Sequence, residues 1–185
     1  MLNNQEERTD LYSLYRETLL EDVVPFWLKH SLDTEYGGYL FCLEQDGSVA
    51  DTDKPMWIHG RFVWLLSTLY ADVEQKAEWL DAARIGIEFM EQYGTDSRDG
   101  RRYYTLTREG KPLRKRRYIF TEAFAVIAYA AYGRATGEKK WIDKAADLFK
   151  LIPKLLATPG LLEPKSDPET RSGKSLAVPM ILVNT

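Results

Sequence analysis

Asp46-Gly47 is answered by Glu109-Gly110, Trp57 by Phe120, Arg61 by Phe124 and Glu78 by Trp141, each pair 63 positions apart in a chain of 185 residues. A self-similar unit of that length cannot bury its apolar face alone, so neighbouring copies must stack to build a shared core. The content of the unit is legible. Tyr36-Gly37-Gly38-Tyr39-Leu40-Phe41-Cys42-Leu43 reads as a strand that turns at Asp46-Gly47 into Ser48-Val49, which predicts a short hairpin. From Met56 to about Val73 the side chains are apolar almost all round, the mark of a helix buried on most sides. From Glu78 to Tyr93, Trp79, Leu80, Ala83, Ile87 and Met90 face one way and Asp81, Arg84, Glu88 and Glu91 the other, as on an outer helix.

The second unit repeats the order. Arg102 to Thr107 is a hairpin candidate and Tyr118 to about Tyr132 an apolar helix. Lys139 to about Leu156 is an amphipathic helix, with Ile142, Ala145, Ala146, Phe149 and Ile152 predicted inward and Lys140, Asp143, Lys144 and Asp147 outward. A further step of 63 carries Phe120 to Val183, so Leu176 to Thr185 reads as the opening of a third inner helix. Ahead of the units, about Asp10 to Lys29 has helical spacing, with Thr9 or Asp10 as cap and Pro25 as its end or bend. Alternating buried and amphipathic helices build either an open α-solenoid or a closed toroid whose inner helices line an axis. Solenoid repeats near 34 residues lack a strand pair between helix pairs, so the hairpins favour the toroid. The expected fold is therefore all-α, about half a toroid of helix pairs with short β-hairpins between them, in one domain over 1–185 that reads as truncated.

Composition narrows the function. The chain is 44% apolar and 29% charged, which excludes disorder and collagen-like repeats. A net charge of −3 offers no general attraction for nucleic acid or anionic lipid, so a small or neutral partner is expected. Cys42 has no second cysteine to pair with, no apolar run approaches the roughly 18 residues of a bilayer span, and Met1 to Glu7 lacks the order of a signal peptide. These features predict a cytoplasmic protein with no nucleic-acid or membrane partner.

Two charges stand inside the apolar helices. Trp57, Arg61 and Trp64 share one helical face, and an arginine there is costly to bury unless it meets a carboxylate, loop carbonyls or an oxygen-rich ligand. Indoles beside it are what the apolar face of a sugar packs against. Glu122 is the lone acid of the second inner helix, either an ion-pair partner, with Arg61 the obvious candidate, or a ligand contact. Asn184, on an inner helix, would reach the axis. His59 lies about 200° round the helix from Arg61 and should point away from it, and His30 is placed to cap the carbonyls of the first helix. Arg171-Ser172-Gly173-Lys174-Ser175 approaches a phosphate-binding loop, but Pro168 stands where that pattern needs glycine, so a helix cap at Ser172 or Ser175 explains it more simply. Arg114-Lys115-Arg116-Arg117 is a basic run of the kind usually solvated. No metal site is expected.

The stretches Asp22-Val23-Val24-Pro25-Phe26-Trp27, Asp33-Thr34-Glu35-Tyr36-Gly37-Gly38-Tyr39, Asp51-Thr52-Asp53-Lys54, Trp57-Ile58-His59-Gly60-Arg61 and Thr121-Glu122-Ala123-Phe124 resemble the N-terminal half of N-acylglucosamine 2-epimerases, to which cellobiose 2-epimerases and aldose-ketose isomerases are related. The resemblance implies an (α/α)6 barrel. It also implies interconversion of N-acetylglucosamine and N-acetylmannosamine by removing and returning the C2 proton. In that chemistry a histidine pair serves as acid and base, and Arg61, matching the family's Gly-Arg arginine, contacts sugar oxygens and stabilises the developing oxyanion. No cofactor is required, with ATP an activator in some members. The histidine pair comes from later helices and has no counterpart here, so the chain alone is expected to be inactive or to complete itself by association. Trp57, Glu122 and Asn184 are the substrate-binding candidates beside Arg61. Glycoside hydrolysis in the same barrel needs two carboxylates where only Glu122 is available. A non-catalytic sugar-binding or self-associating module is the alternative of a different class.

Overall fold

The computed structural model describes residues 5–115, 118–162, 167, 169–171, 173 and 176–185. The chain opens with helix α1 (Gln5–Glu17), passes through a π-helical stretch (Thr18–Val23) and continues as α2 (Val24–His30). Pro25 therefore neither ends the helix nor breaks it. It falls in the first turn of α2, where its missing N–H costs nothing, and the widened turn just before it absorbs the ring. Ser31 closes α2, its hydroxyl and its N–H both donating to the Trp27 carbonyl at 2.6 and 2.9 Å. The cap expected of His30 is thus supplied by its neighbour, and the His30 ring packs on Phe26, 4.9 Å between centroids.

Strands β1 (Cys42–Leu43) and β2 (Val49–Asp51) form the first hairpin, antiparallel. Strand β3 (Lys54–Pro55) leads into α3 (Met56–Asp72) and pairs with β4 (Thr105–Leu106), which pairs with β5 (Pro112–Arg114). The second hairpin is thereby stitched to the start of the first inner helix. Helices α4 (Ala77–Tyr93), α5 (Phe120–Thr136), α6 (Lys139–Ala157) and α7 (Ala177–Val183) complete the order.

The repeat is atomic in its detail. Gly47 and Gly110, 63 apart, both turn at φ +87, and each lies on an aromatic ring at the end of the preceding outer helix. A Cβ at Gly47 would stand 2.3 Å from the His30 ring, and one at Gly110 would stand 2.4 Å from that of Tyr93. The loops between outer helix and hairpin match too. Asp33 and Asp96 begin the two loops, and the bridges Leu32 to Tyr39 and Thr95 to Arg102 close them. The third helix breaks the step: α7 begins at Ala177, six residues before the position to which a strict repeat carries Phe120.

The core forms where α3 packs on α5, with α4 and α6 outside. Val63 and Leu66 of α3 and Ala123, Ala128 and Tyr129 of α5 are fully buried in this core, and at Gly60 the two helices come close, where a Cβ would sit 2.6 Å from the Phe124 carbonyl oxygen. Helix α4 buries Trp79, Ala83, Ile87 and Met90 as its pattern requires. Helix α6 is rotated about one residue from expectation. It buries Trp141, Ala145, Ile152 and Leu155, while Ile142, Ala146 and Phe149 are exposed. The cause is Trp141, whose ring stacks on Tyr129 at 5.9 Å and meets Tyr132 edge-on at 5.6 Å, contacts worth more than the smaller burial of Ile142. Among the described residues no helix is long and apolar enough to cross a membrane.

Candidate functional site

Trp57 and Arg61 occupy successive turns of α3, and Phe124 faces them from α5. The Arg61 guanidinium carbon lies 4.7 Å from the Trp57 ring and 4.2 Å from the Phe124 ring, so the cation is held between two aromatic faces. Among the described residues it makes no hydrogen bond and no ion pair, and the residue is exposed.

Three clefts meet at this side chain. One of about 450 Å³ is bounded by Trp57, Tyr104, Phe120, Met180 and Asn184. A second of about 580 Å³ lies toward Trp64, Ile127 and Asn184, and a third of about 340 Å³ toward Trp27, Phe41 and Phe62. Their walls are mostly aliphatic and aromatic side chains, with Arg61, Tyr104, Asn184 and Thr185 bringing polar groups. Asn184 caps α7 and borders two of the clefts, beside Arg61 in both and Trp57 in one. Tyr104 had no sequence signal marking it for the site. It lies 47 residues from Trp57 in the second hairpin, and only the pairing of β3 with β4 lays its ring parallel to the indole, 9° between planes at 6.3 Å.

Glu122 does not join them. It stands two positions before Phe124, about 200° round α5, so when Phe124 faces Arg61 the carboxylate faces the opposite loop. It is fully buried, and its Oε1 accepts from Arg101 Nε and from the Arg102 backbone N–H, both at 3.1 Å. Both the Arg61 to Glu122 pair and the ligand contact expected of Glu122 are thereby replaced by an ion pair with Arg101.

His59 does point away from Arg61. It is fully buried, with Nε2 accepting the Tyr39 N–H at 2.9 Å and Nδ1 placed 3.1 Å from the Pro55 carbonyl. The Tyr39 N–H can only donate, so Nε2 is bare and the proton sits on Nδ1. Burial pushes its pKa down to about 3, against the Pro55 hydrogen bond, so the ring is neutral near pH 7 and serves structure rather than proton transfer.

No group of three or more potential metal ligands occurs among the described residues. The two stretches that the sequence offered to an anion are described only in part. Lys115 of the basic run is spent on Asp96 and Asp99, each at 2.7 Å, while Arg116, Arg117, Pro168, Ser172, Lys174 and Ser175 lie outside the described residues.

The family model for N-acylglucosamine 2-epimerase (GlcNAc 2-epimerase) matches residues 38–183, which include Trp57, Arg61 and helices α3 to α7. The chain belongs to the N-acylglucosamine 2-epimerase family. It is 36% identical to the N-acylglucosamine 2-epimerase of Bos taurus over 169 residues, 89% of this chain and 40% of that protein. A sugar epimerase from a ruminal bacterium, 33% identical, superposes with a TM-score of 0.70 over 78% of this chain and 37% of that one. The cellobiose 2-epimerase of Bacillus thermoamylovorans, 28% identical, does so with a TM-score of 0.72 over 80% of this chain and 38% of that one. The helix pairs and hairpins are those of the (α/α)6 barrel of this family. The chain spans about 40% of the length of the curated relatives it matches.

Proposed function

We propose that the chain supplies the arginine and aromatic wall of a sugar 2-epimerase site that interconverts N-acetylglucosamine and N-acetylmannosamine. The observation that carries this is the Arg61 guanidinium, fixed between Trp57 and Phe124 with no hydrogen bond or ion pair among the described residues. Removing the proton at C2 of an open-chain sugar places negative charge on the C1 oxygen, and a preorganised guanidinium is suited to receive it. The indole and Tyr104 offer flat surfaces to the sugar's C–H face.

The proton itself needs an acid and a base, and neither a histidine nor a carboxylate is among the residues lining the three clefts. Arg61 therefore binds and stabilises, while the proton-transfer groups must come from elsewhere. The 185-residue chain alone is expected not to convert N-acetylmannosamine, and proton NMR of the anomeric region reads this directly. Binding is the positive test. In a calorimetric titration with N-acetylmannosamine, Arg61→Ala should weaken affinity roughly 10- to 100-fold, as for loss of a charge-assisted hydrogen bond of about 1.5–3 kcal/mol. Unchanged affinity would make Arg61 structural and remove this reading. ATP belongs to the proposal only as an activator, which tighter sugar binding in its presence would support. A self-associating module is the second reading, favoured by the exposed Leu176 just before α7 and the exposed Met180 and Val183 within it, and sedimentation of the same chain reports it.

A further inference from the structure

His59 and Glu122 stand 63 residues apart, at the same place in the two units, and do the same work. Each is fully buried in the first turns of an inner helix. Each accepts a backbone N–H from the bridged residue that closes the loop ahead of its own hairpin: Nε2 of His59 from Tyr39 at 2.9 Å, Oε1 of Glu122 from Arg102 at 3.1 Å. The donors are themselves 63 apart. A second contact completes each anchor. Nδ1–H of His59 donates to Pro55, the residue before α3, and Arg101 ties Glu122 to the Tyr118 carbonyl, two residues before α5. Gly38, at φ +70, makes the first anchor possible, since a Cβ there would stand 2.9 Å from Nε2. A neutral ring and a carboxylate have nothing in common but an acceptor atom at that point, so the acceptor is what the position requires.

The two anchored helices carry the two sides of the Arg61 sandwich. His59 lies two residues before Arg61 and two after Trp57, and Glu122 lies two before Phe124. We propose that His59 and Glu122 are positioning residues for Arg61, fixing the starts of α3 and α5 so that the guanidinium is held between Trp57 and Phe124. Neither touches the clefts; both act through the helix turns that do. Because the cation lies 4.7 and 4.2 Å from its two rings, an ångström of drift in either helix start empties one side of the sandwich. The bearing of this on catalysis rests on the reading of Arg61 as a sugar-binding residue, whereas the positioning itself is testable without a sugar.

The readout is the side-chain NMR signal of Arg61, which the two ring currents displace from its free-arginine position. His59→Gln and Glu122→Gln keep an acceptor oxygen within reach of Tyr39 or Arg102 and should retain the displaced signal. His59→Leu and Glu122→Leu remove the acceptor and should return the signal toward the free position. Ile152→Ala, a core truncation in α6 of comparable stability cost, should leave it displaced. A displaced signal in the folded Leu variants, or an equal return in Ile152→Ala, overturns the proposal. Should the Leu variants fail to fold, the Gln pair decides: loss of the displacement in either overturns it. In parallel, N-acetylmannosamine titration should weaken about tenfold or more in the Leu variants and little in the Gln variants. If the unaltered chain binds no sugar while the NMR pattern holds, the reading of Arg61 as a sugar contact fails and the positioning role stands.

Discussion

Replacing Asp33 by alanine tests the buried charge cluster that joins the two units. Asp33 and Lys54 are both fully buried, 2.8 Å apart. The ammonium also donates to the carbonyls of Gly37 and Arg108 at 2.6 and 2.8 Å and lies 4.3 Å over the Phe89 ring. Arg108, from the second hairpin, reaches back to both carboxylate oxygens at 3.0 Å, and the N–H groups of Glu35 and Tyr36 add two local bonds. Burial alone would raise the carboxyl's pKa, but the hydrogen bonds from Arg108 and Lys54 hold it well below the ordinary carboxylate range. Burial likewise pulls Lys54 below its ordinary value against the pull of Asp33. Removing the carboxylate leaves a desolvated ammonium facing carbonyls and a ring, a change that costs about 3–5 kcal/mol. At roughly 2–4 °C per kcal/mol for a chain of this size, melting should fall by about 6–20 °C. Urea unfolding and calorimetry measure both. Asp33→Ala combined with Lys54→Met should cost less than the sum of the single changes, by about 0.5–3 kcal/mol, because the stranded charge is gone. A single-variant loss below about 1 kcal/mol, or strict additivity, would refute the reasoning.

Protonation of His59 should set the mild-acid limit of stability. Its folded pKa of about 3 lies below the ordinary 6.5, so the unfolded chain binds the proton first. Stability is complete above pH 6.5 and falls by about 1.4 kcal/mol per unit below it, and His59→Gln should flatten that slope in urea titrations between pH 6.5 and 4.5. A wild-type curve level over this range contradicts the assignment. Gly60→Ala forces α3 from the Phe124 carbonyl and should cost about 1–3 kcal/mol in urea unfolding; a neutral effect would mean that the helices separate freely. Gly47→Ala and Gly110→Ala should destabilise by similar amounts, at least about 1–2 kcal/mol each for the left-handed backbone, because each glycine turns at φ +87 on an aromatic ring. Widely different melting shifts would show that the two hairpins are not equivalent.

The units, their helices and both turn glycines were legible in the sequence because they are local: a burial period, a turn dipeptide and a fixed step each occupy a few neighbouring residues. Arg61 was legible as a charge in an apolar run, and the structure places it with Trp57 and Asn184. Its relation to Glu122 was not. Both residues interrupt an inner helix, and opposite charges suggested a pair, but partner choice depends on the rotation of α5 against α3, which close packing at Gly60 sets. That rotation turns Phe124 to Arg61 and Glu122 to Arg101. Tyr104 entered the site through strand pairing between residues 50 positions apart, Pro55 with Thr105, which no local signal announces. The rotation of α6 followed from Trp141 stacking on Tyr129, a contact between helices rather than a property of either. By itself, then, the sequence determined which segments are helix, which are hairpin and that they recur. The tertiary structure alone decided which charge meets which, because a periodic pattern fixes the width of a buried face while only the packed neighbour fixes its angle.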